Sequence, residues 1–190
     1  MIGCARQTKK HHFNHKIQQA MKTFVITLSK AFMIGHPKDG LPTGFEDAVK
    51  NRRKIHTLRC NFPFWEKRIR EIQNGRALLS IRQWTGKPYR SKQMEIAQLT
   101  SQDGMGLQKV VISRSEWKEN DNVPHFCYWA TIDGKEVELE SIARNDGFTD
   151  CKDFVAWFDS ALNKQKTDEE GWRHLELAII HFSSFRYQPK

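Results

Sequence analysis

The sequence predicts an α+β domain with a curled, mostly antiparallel sheet. About six β-branched, apolar runs and three or four helical patterns alternate irregularly, without the βαβ rhythm of a parallel sheet. The strand runs cluster as hairpins around Thr85-Gly86-Lys87-Pro88 and Asp133-Gly134. The chain contains no internal repeat, P-loop, Gly-x-Gly-x-x-Gly or Gly-x-Ser-x-Gly. The usual nucleotide-binding and α/β-hydrolase signatures are therefore absent, and no cofactor is implied.

Taken in order, Met1 to Ala20 is polar and basic and reads as separate from the rest. It is expected to be a disordered extension, or a segment upstream of a start at Met21. His11 and His15 would share a helix face, but no acidic or cysteine ligand lies near them, so no metal is expected there. Residues 21–190 then form one domain of ordinary size.

Thr23 to Leu28 is β-branched and apolar, a buried strand. A loop punctuated by Gly35, Pro37, Gly40, Pro42 and Gly44 follows, and its length suggests the rim of a site. Thr43 is placed to cap a helix from Phe45 to Asn51, with Glu46 and Asp47 in its first turn. Asn61 and Pro63 open the next helix, whose buried stripe is Trp65, Ile69 and Ile72. Asn74-Gly75 ends it.

Ala77 to Trp84 and Gln93 to Leu99 form a hairpin with Arg82, Lys87, Arg90 and Lys92 on or beside its tip. Lys109 to Ser113 and His125 to Ile132 are further strands. Helices follow at about Glu138 to Asn145 and Cys151 to Asn163, the second with Phe154, Val155, Phe158 and Leu162 at core spacing. Leu175 to Phe182 is apolar on both faces, which predicts a central strand.

Composition excludes several classes. No apolar run approaches the roughly 18 residues of a membrane span, and the basic N-terminus lacks the apolar stretch of a secretory signal. A soluble, cytoplasmic protein is expected. Cys4, Cys60, Cys127 and Cys151 are scattered, so neither a disulfide framework nor a structural zinc site is expected. The formal charge is +9, and Asn51 to Lys92 alone holds twelve Lys/Arg against two acids. Phe62, Phe64, Trp65, Trp84 and Tyr89 are interleaved with these charges. Basic groups attract phosphates and aromatics stack on bases, so the segment points to an anionic partner such as RNA.

Within that segment, Lys54-Ile55-His56-Thr57-Leu58-Arg59 carries the candidate chemistry. A strand places Ile55, Thr57 and Arg59 on one face. Lys54 joins Thr57 only if it sits on the turn before the strand begins, and His56 would face the other way. A hydroxyl becomes a nucleophile when a base takes its proton. Lysine ordinarily titrates near 10.4, and burial or a neighbouring cation lowers that value. Arg52, Arg53 and Arg59 supply such cations.

The row Arg52-Arg53-Lys54-Ile55-His56-Thr57-Leu58-Arg59 resembles the Gly-x-Lys-x-x-Glu-x-Arg motif of the ASCH domain family, in the PUA-like superfamily. Arg52 replaces the Gly and Thr57 the Glu. Thr at that place is similar to the N4-acetylcytidine amidohydrolase branch, with Lys-x-x-Thr-x-Arg. The order of elements agrees over roughly Thr23 to Phe182. The resemblance implies a PUA-like β-barrel flanked by helices. It also implies a basic cleft that holds RNA or a modified nucleobase or nucleoside, or alternatively deacylates N4-acetylcytidine-type nucleosides.

In that branch a carboxylate late in the chain orients the lysine. By order of elements it falls at Asp146, with Glu138 and Glu140 as alternatives. Lys54, Thr57 and Asp146 are thus the candidate catalytic set. Arg53, Arg59, Arg82, Trp84, Lys87, Tyr89 and Arg90 are the candidate ligand-binding set, and no metal is implied. A protein-interaction role in a regulatory system is a third class the sequence leaves open.

Overall fold

The computed structural model describes residues 21–118 and 124–188. The N-terminal extension, its histidine pair and Cys4 lie outside the described residues.

The fold is α+β with mostly antiparallel pairing, in two sheets. In the smaller sheet β1 (Lys22–Leu28) lies beside β3 (Ala77–Trp84), which pairs with β4 (Gln93–Leu99). The larger sheet runs β2 (His56–Arg59), β8 (Trp172–His181), β5 (Gly106–Lys118), β6 (Pro124–Ile132), β7 (Lys135–Glu136). The expected barrel is not closed: β1 and β2 face the seam as edge strands of separate sheets, with no ladder joining them. The β1–β3 pairing is parallel, which the intervening helices make possible.

Local chemistry accounts for most boundaries. Helix α2 (Phe62–Gln73) begins where the Asn61 side chain accepts the Phe64 N–H, and it buries Trp65, Ile69 and Ile72. It packs on β3 of one sheet and on β5 and β8 of the other, so its stripe joins the two layers. Burying each such side chain stabilises by about 1.5–3 kcal/mol. Helix α1 (Phe45–Lys50) starts at Gly44 in a left-handed conformation, one residue after the Thr43 expected to cap it. Thr43 Oγ1 still accepts the Phe45 N–H, at a long 3.4 Å, and donates to Ser29 O at 2.8 Å, tying down the base of the loop.

Strand β5 is longer at both ends than the apolar run suggested. Its added residues include Arg114, which is buried because Asp159 of α4 (Cys151–Leu162) and Asn163, which caps that helix, accept its guanidinium. Helix α3 (Leu139–Asn145) precedes α4 and ends beside β2: Asn145 O accepts the Ile55 N–H at 2.9 Å. The strand expected to be central is so, since β8 lies between β2 and β5.

Among the described residues, no helix is long and apolar enough to cross a membrane.

Candidate functional site

The site lies at the seam between the sheets. Arg53 and Lys54 N–H groups both donate to Ala48 O, which ends α1 in a tight turn. Lys54 therefore sits before β2 begins, the one placement that lets it share a side with Thr57. Arg59 at the end of β2 reaches the neighbouring edge: Nη2 donates to Thr27 O of β1 at 3.0 Å and Nη1 to Thr57 Oγ1 at 2.9 Å. One guanidinium thus bridges the sheets and positions the threonine.

A cavity of about 230 Å³ opens at this junction, and Lys54, Thr57, Arg59 and Asp146 all line it. Thr27 and Ser29 contribute polar atoms, and Phe45, Phe148, Trp157 and Phe158 supply an aromatic wall. Lys54, Thr57 and Asp146 are buried. Lys54 Nζ donates to Asp146 Oδ1 at 2.7 Å and to the Asp146 backbone oxygen, and it lies 4.4 Å from the centre of the Phe45 ring. No direct hydrogen bond joins Lys54 to Thr57. Gly147, at φ +86°, makes room for the lysine: an added Cβ would stand 3.0 Å from Lys54 Cβ.

Electrostatics follow from this burial. Desolvation holds the Lys54 ammonium below its ordinary 10.5, with Asp146 opposing and Arg59 assisting. Burial pushes the Asp146 carboxyl up, but Lys54 and His56 together outweigh it and leave it below its ordinary 3.8. The acid is thus ionised, and the lysine loses its proton more readily than an exposed one. A neutral amine has two hydrogens, and Asp146 offers two acceptors. The lone pair then remains for a proton from the cavity.

The remaining candidates fall elsewhere. Arg53 lines a separate groove of about 680 Å³ with Arg52, Arg144 and Glu140, on the other side of Phe148. Glu138 lines neither space and instead borders a third hollow with Glu140. Arg82 is committed to a polar ladder: its Nε donates to Ser80 Oγ beside Glu95. Lys87, Tyr89 and Arg90 occupy the exposed β3–β4 turn, where Tyr89 packs against Trp84 at 5.4 Å between ring centres. None of these lines the Lys54 cavity, although Gln93 of the same hairpin donates to Thr27 Oγ1 at 3.2 Å on its rim. The Gly/Pro-rich loop contributes only Ser29. Beyond it, His36 and Lys38 bind Asp153 of α4.

Sequence reading missed Thr27, Ser29 and the aromatic wall. Trp157 and Phe158 stand in a helical apolar stripe, where a pocket lining and a core look alike. It also missed a run in which Asp168 accepts from or pairs with His174 Nε2, and His174 Nδ1 meets Ser113 Oγ, each at 2.8 Å. Ser113 lies mid-strand with ladders on both sides, which leaves no backbone donors for an oxyanion.

No group of three or more His, Cys, Asp or Glu side chains among the described residues is placed to hold a metal. Cys60, Cys127 and Cys151 are free thiols.

No family model matches the chain, and no curated protein or solved structure matches it either.

Proposed function

We propose that the Lys54 cavity accepts a modified nucleobase, free or within RNA, and hydrolyses an N-acyl amide on it. The observation that carries this reading is the convergence of Lys54, Thr57, Arg59 and Asp146 on one partly enclosed space. At about 230 Å³ the space falls below the roughly 300–1,000 Å³ of sites for drug-sized ligands. It suits an acylated base whose ribose stays outside. The aromatic wall provides an apolar surface for such a ring. The Lys-x-x-Thr-x-Arg motif and the element order support a relationship to the ASCH and PUA-like domains.

The proposed chemistry is acyl transfer to Thr57. Lys54 takes the hydroxyl proton, directly or through one water, as Thr57 Oγ1 forms a bond to the acyl carbon. The Arg59 guanidinium, already bonded to Oγ1, stabilises the developing alkoxide. The carbon–nitrogen bond then breaks, and Lys54 returns its proton to the departing exocyclic nitrogen. Water, deprotonated by Lys54, next attacks the threonine ester. The ester carbon–oxygen bond breaks, Thr57 recovers its proton, and a carboxylic acid leaves. Asp146 orients the lysine throughout.

A second reading is binding without turnover. It is favoured by the exposed Lys87 and Arg90 and by the groove of Arg52, Arg53 and Arg144, which are placed to hold phosphates. The assay is release of acid from a series of N-acylated nucleosides, followed by mass detection of the deacylated nucleoside. Thr57→Ala and Lys54→Ala should each lose nearly all turnover, with the double variant little worse. Binding of these nucleosides by a wild type that hydrolyses none would leave the second reading in place.

A further inference from the structure

The Lys54–Asp146 pair is also approached from the side opposite the cavity. His56, one residue into β2, turns away from Thr57 and is fully buried. Its Nδ1 lies 3.6 Å from Asp146 Oδ1 and has no hydrogen-bond partner, while its Nε2 is 2.8 Å from Tyr187 Oη. Tyr187 Oη also accepts from Asn145 Nδ2 at 2.9 Å and stands 3.3 Å from Ser141 O.

These contacts select one tautomer. The phenol has a single hydrogen to give. If it went to Ser141 O, His56 Nε2 would carry the imidazole hydrogen, and the bare Nδ1 lone pair would face the Asp146 carboxylate inside the protein. That is a repulsive and unpaired arrangement. If the phenol donates to Nε2, along the shorter contact, the hydrogen lies on Nδ1 and points toward Asp146. The neighbouring His181 adds no charge there: it is pushed down to about 3, chiefly by burial and also by His56 and Arg186.

Tyr187 is itself fastened. Its N–H donates to Gln108 Oε1 at 2.9 Å, and Gln108 Nε2 donates back to Tyr187 O at 3.0 Å. One residue earlier, Arg186 Nη2 donates to Gly104 O at 2.9 Å. The segment after β8 is thus clasped to β5 so that the Tyr187 hydroxyl reaches the back of the site.

We infer that Tyr187 sets the His56 tautomer so that an N–H dipole faces the Asp146 carboxylate across 3.6 Å, a relay behind the acid that steers its carboxylate and thereby Lys54, so the C-terminal segment is part of the functional site. This rests on the amidohydrolase reading for its catalytic consequence, but not for its geometry. Both are positioning residues. Neither touches the cavity.

The test uses the full chain and the Tyr187→Phe variant, which keeps the ring packed 5.0 Å from Phe185. Imidazole 15N NMR should show His56 with hydrogen on Nδ1 and an accepting Nε2. In Tyr187→Phe that signature should change. Turnover of N4-acetylcytidine should fall by about 10–100-fold in kcat, as for other groups that orient a site from behind, with KM changed less than about twofold. Gln108→Ala, which releases the clasp at a distance from the site, should move both readouts the same way. Hydrogen on Nε2 in the wild type, or an unchanged His56 signature in Tyr187→Phe, overturns the relay. So does an unchanged kcat in a Tyr187→Phe protein whose wild type is active. A wild type that hydrolyses no N-acylated nucleoside overturns the hydrolase reading instead, and the tautomer alone then decides the relay.

Discussion

Replacing Lys54 by Met keeps most of the side-chain stem and removes the charge, leaving Asp146 buried without its main partner. Asp146 is almost fully covered, and the His56 Nδ1 behind it stands 3.6 Å from Oδ1, too far to make the hydrogen bond that Lys54 makes. Breaking one side of such a buried pair costs about 3–5 kcal/mol. That is a large share of the roughly 5–15 kcal/mol that stabilises a domain. The pH dependence should also reverse. In the wild type the Asp146 value is depressed below 3.8, so its contribution is present above that value and lost as pH falls through the folded value. Without Lys54, burial dominates and the folded value rises above the unfolded one. The variant then loses stability as pH rises through that range. Urea denaturation from about pH 3 to 8 compares the two slopes. Adding Asp146→Leu to Lys54→Met should recover at least about 2 kcal/mol, because an apolar pair is often no worse than a buried ion pair. A single variant within about 1 kcal/mol of wild type, with a parallel pH curve, would refute the coupling.

Two further outcomes follow from neighbouring contacts. Gly147→Ala places a Cβ against the Lys54 stem at a left-handed position. It should cost about 1–2 kcal/mol and displace the lysine, so turnover or nucleoside affinity should drop beyond what the stability loss explains. Full activity would show that the stem shifts freely. Lys87→Glu and Arg90→Glu should weaken single-stranded RNA binding and flatten its salt dependence without changing Tm. Arg82→Glu should lower Tm instead, because Arg82 holds Ser80 next to Glu95; equal Tm in all three variants would contradict that division.

Local chemistry made much of the fold legible. Ala77 to Trp84 and Gln93 to Leu99 were readable to the residue, since alternation and a turn bounded both. The Asn61 cap and the Trp65, Ile69, Ile72 stripe likewise need only helical spacing. Long-range facts were not readable. The parallel β1–β3 pairing depends on which edges meet in space. The full reach of β5 depends on Asp159 and Asn163 covering an arginine that looks like a surface residue in the chain. At the site, the sequence made the placing of Lys54 conditional on a turn and named Asp146 by order of elements, with Glu138 and Glu140 as alternatives; the structure has that turn and brings Lys54 and Asp146 to one cavity. Trp157 and Phe158 left no such trace, and nothing in the sequence ties Gln108 to Tyr187. The opposite error arose at the hairpin, where grouping Arg82 with Lys87 and Arg90 by charge hid its bond to Ser80.

The seam explains why one short motif carries so much. Two sheets that do not join by a ladder leave edge carbonyls that need donors. Arg59 meets Thr27 O across the gap, and its remaining reach fixes Thr57. The same residue therefore holds the layers together and sets the polarity of the cavity between them. Arg59→Lys tests whether these roles separate. A lysine is a point charge without the planar fork, so it can serve Thr27 O or Thr57 Oγ1 but not both in this geometry. If it keeps the sheets together while releasing Thr57, Tm should hold and turnover should fall. If both fall together, the bridge and the site are one device, and the cavity exists only because the seam is tied there.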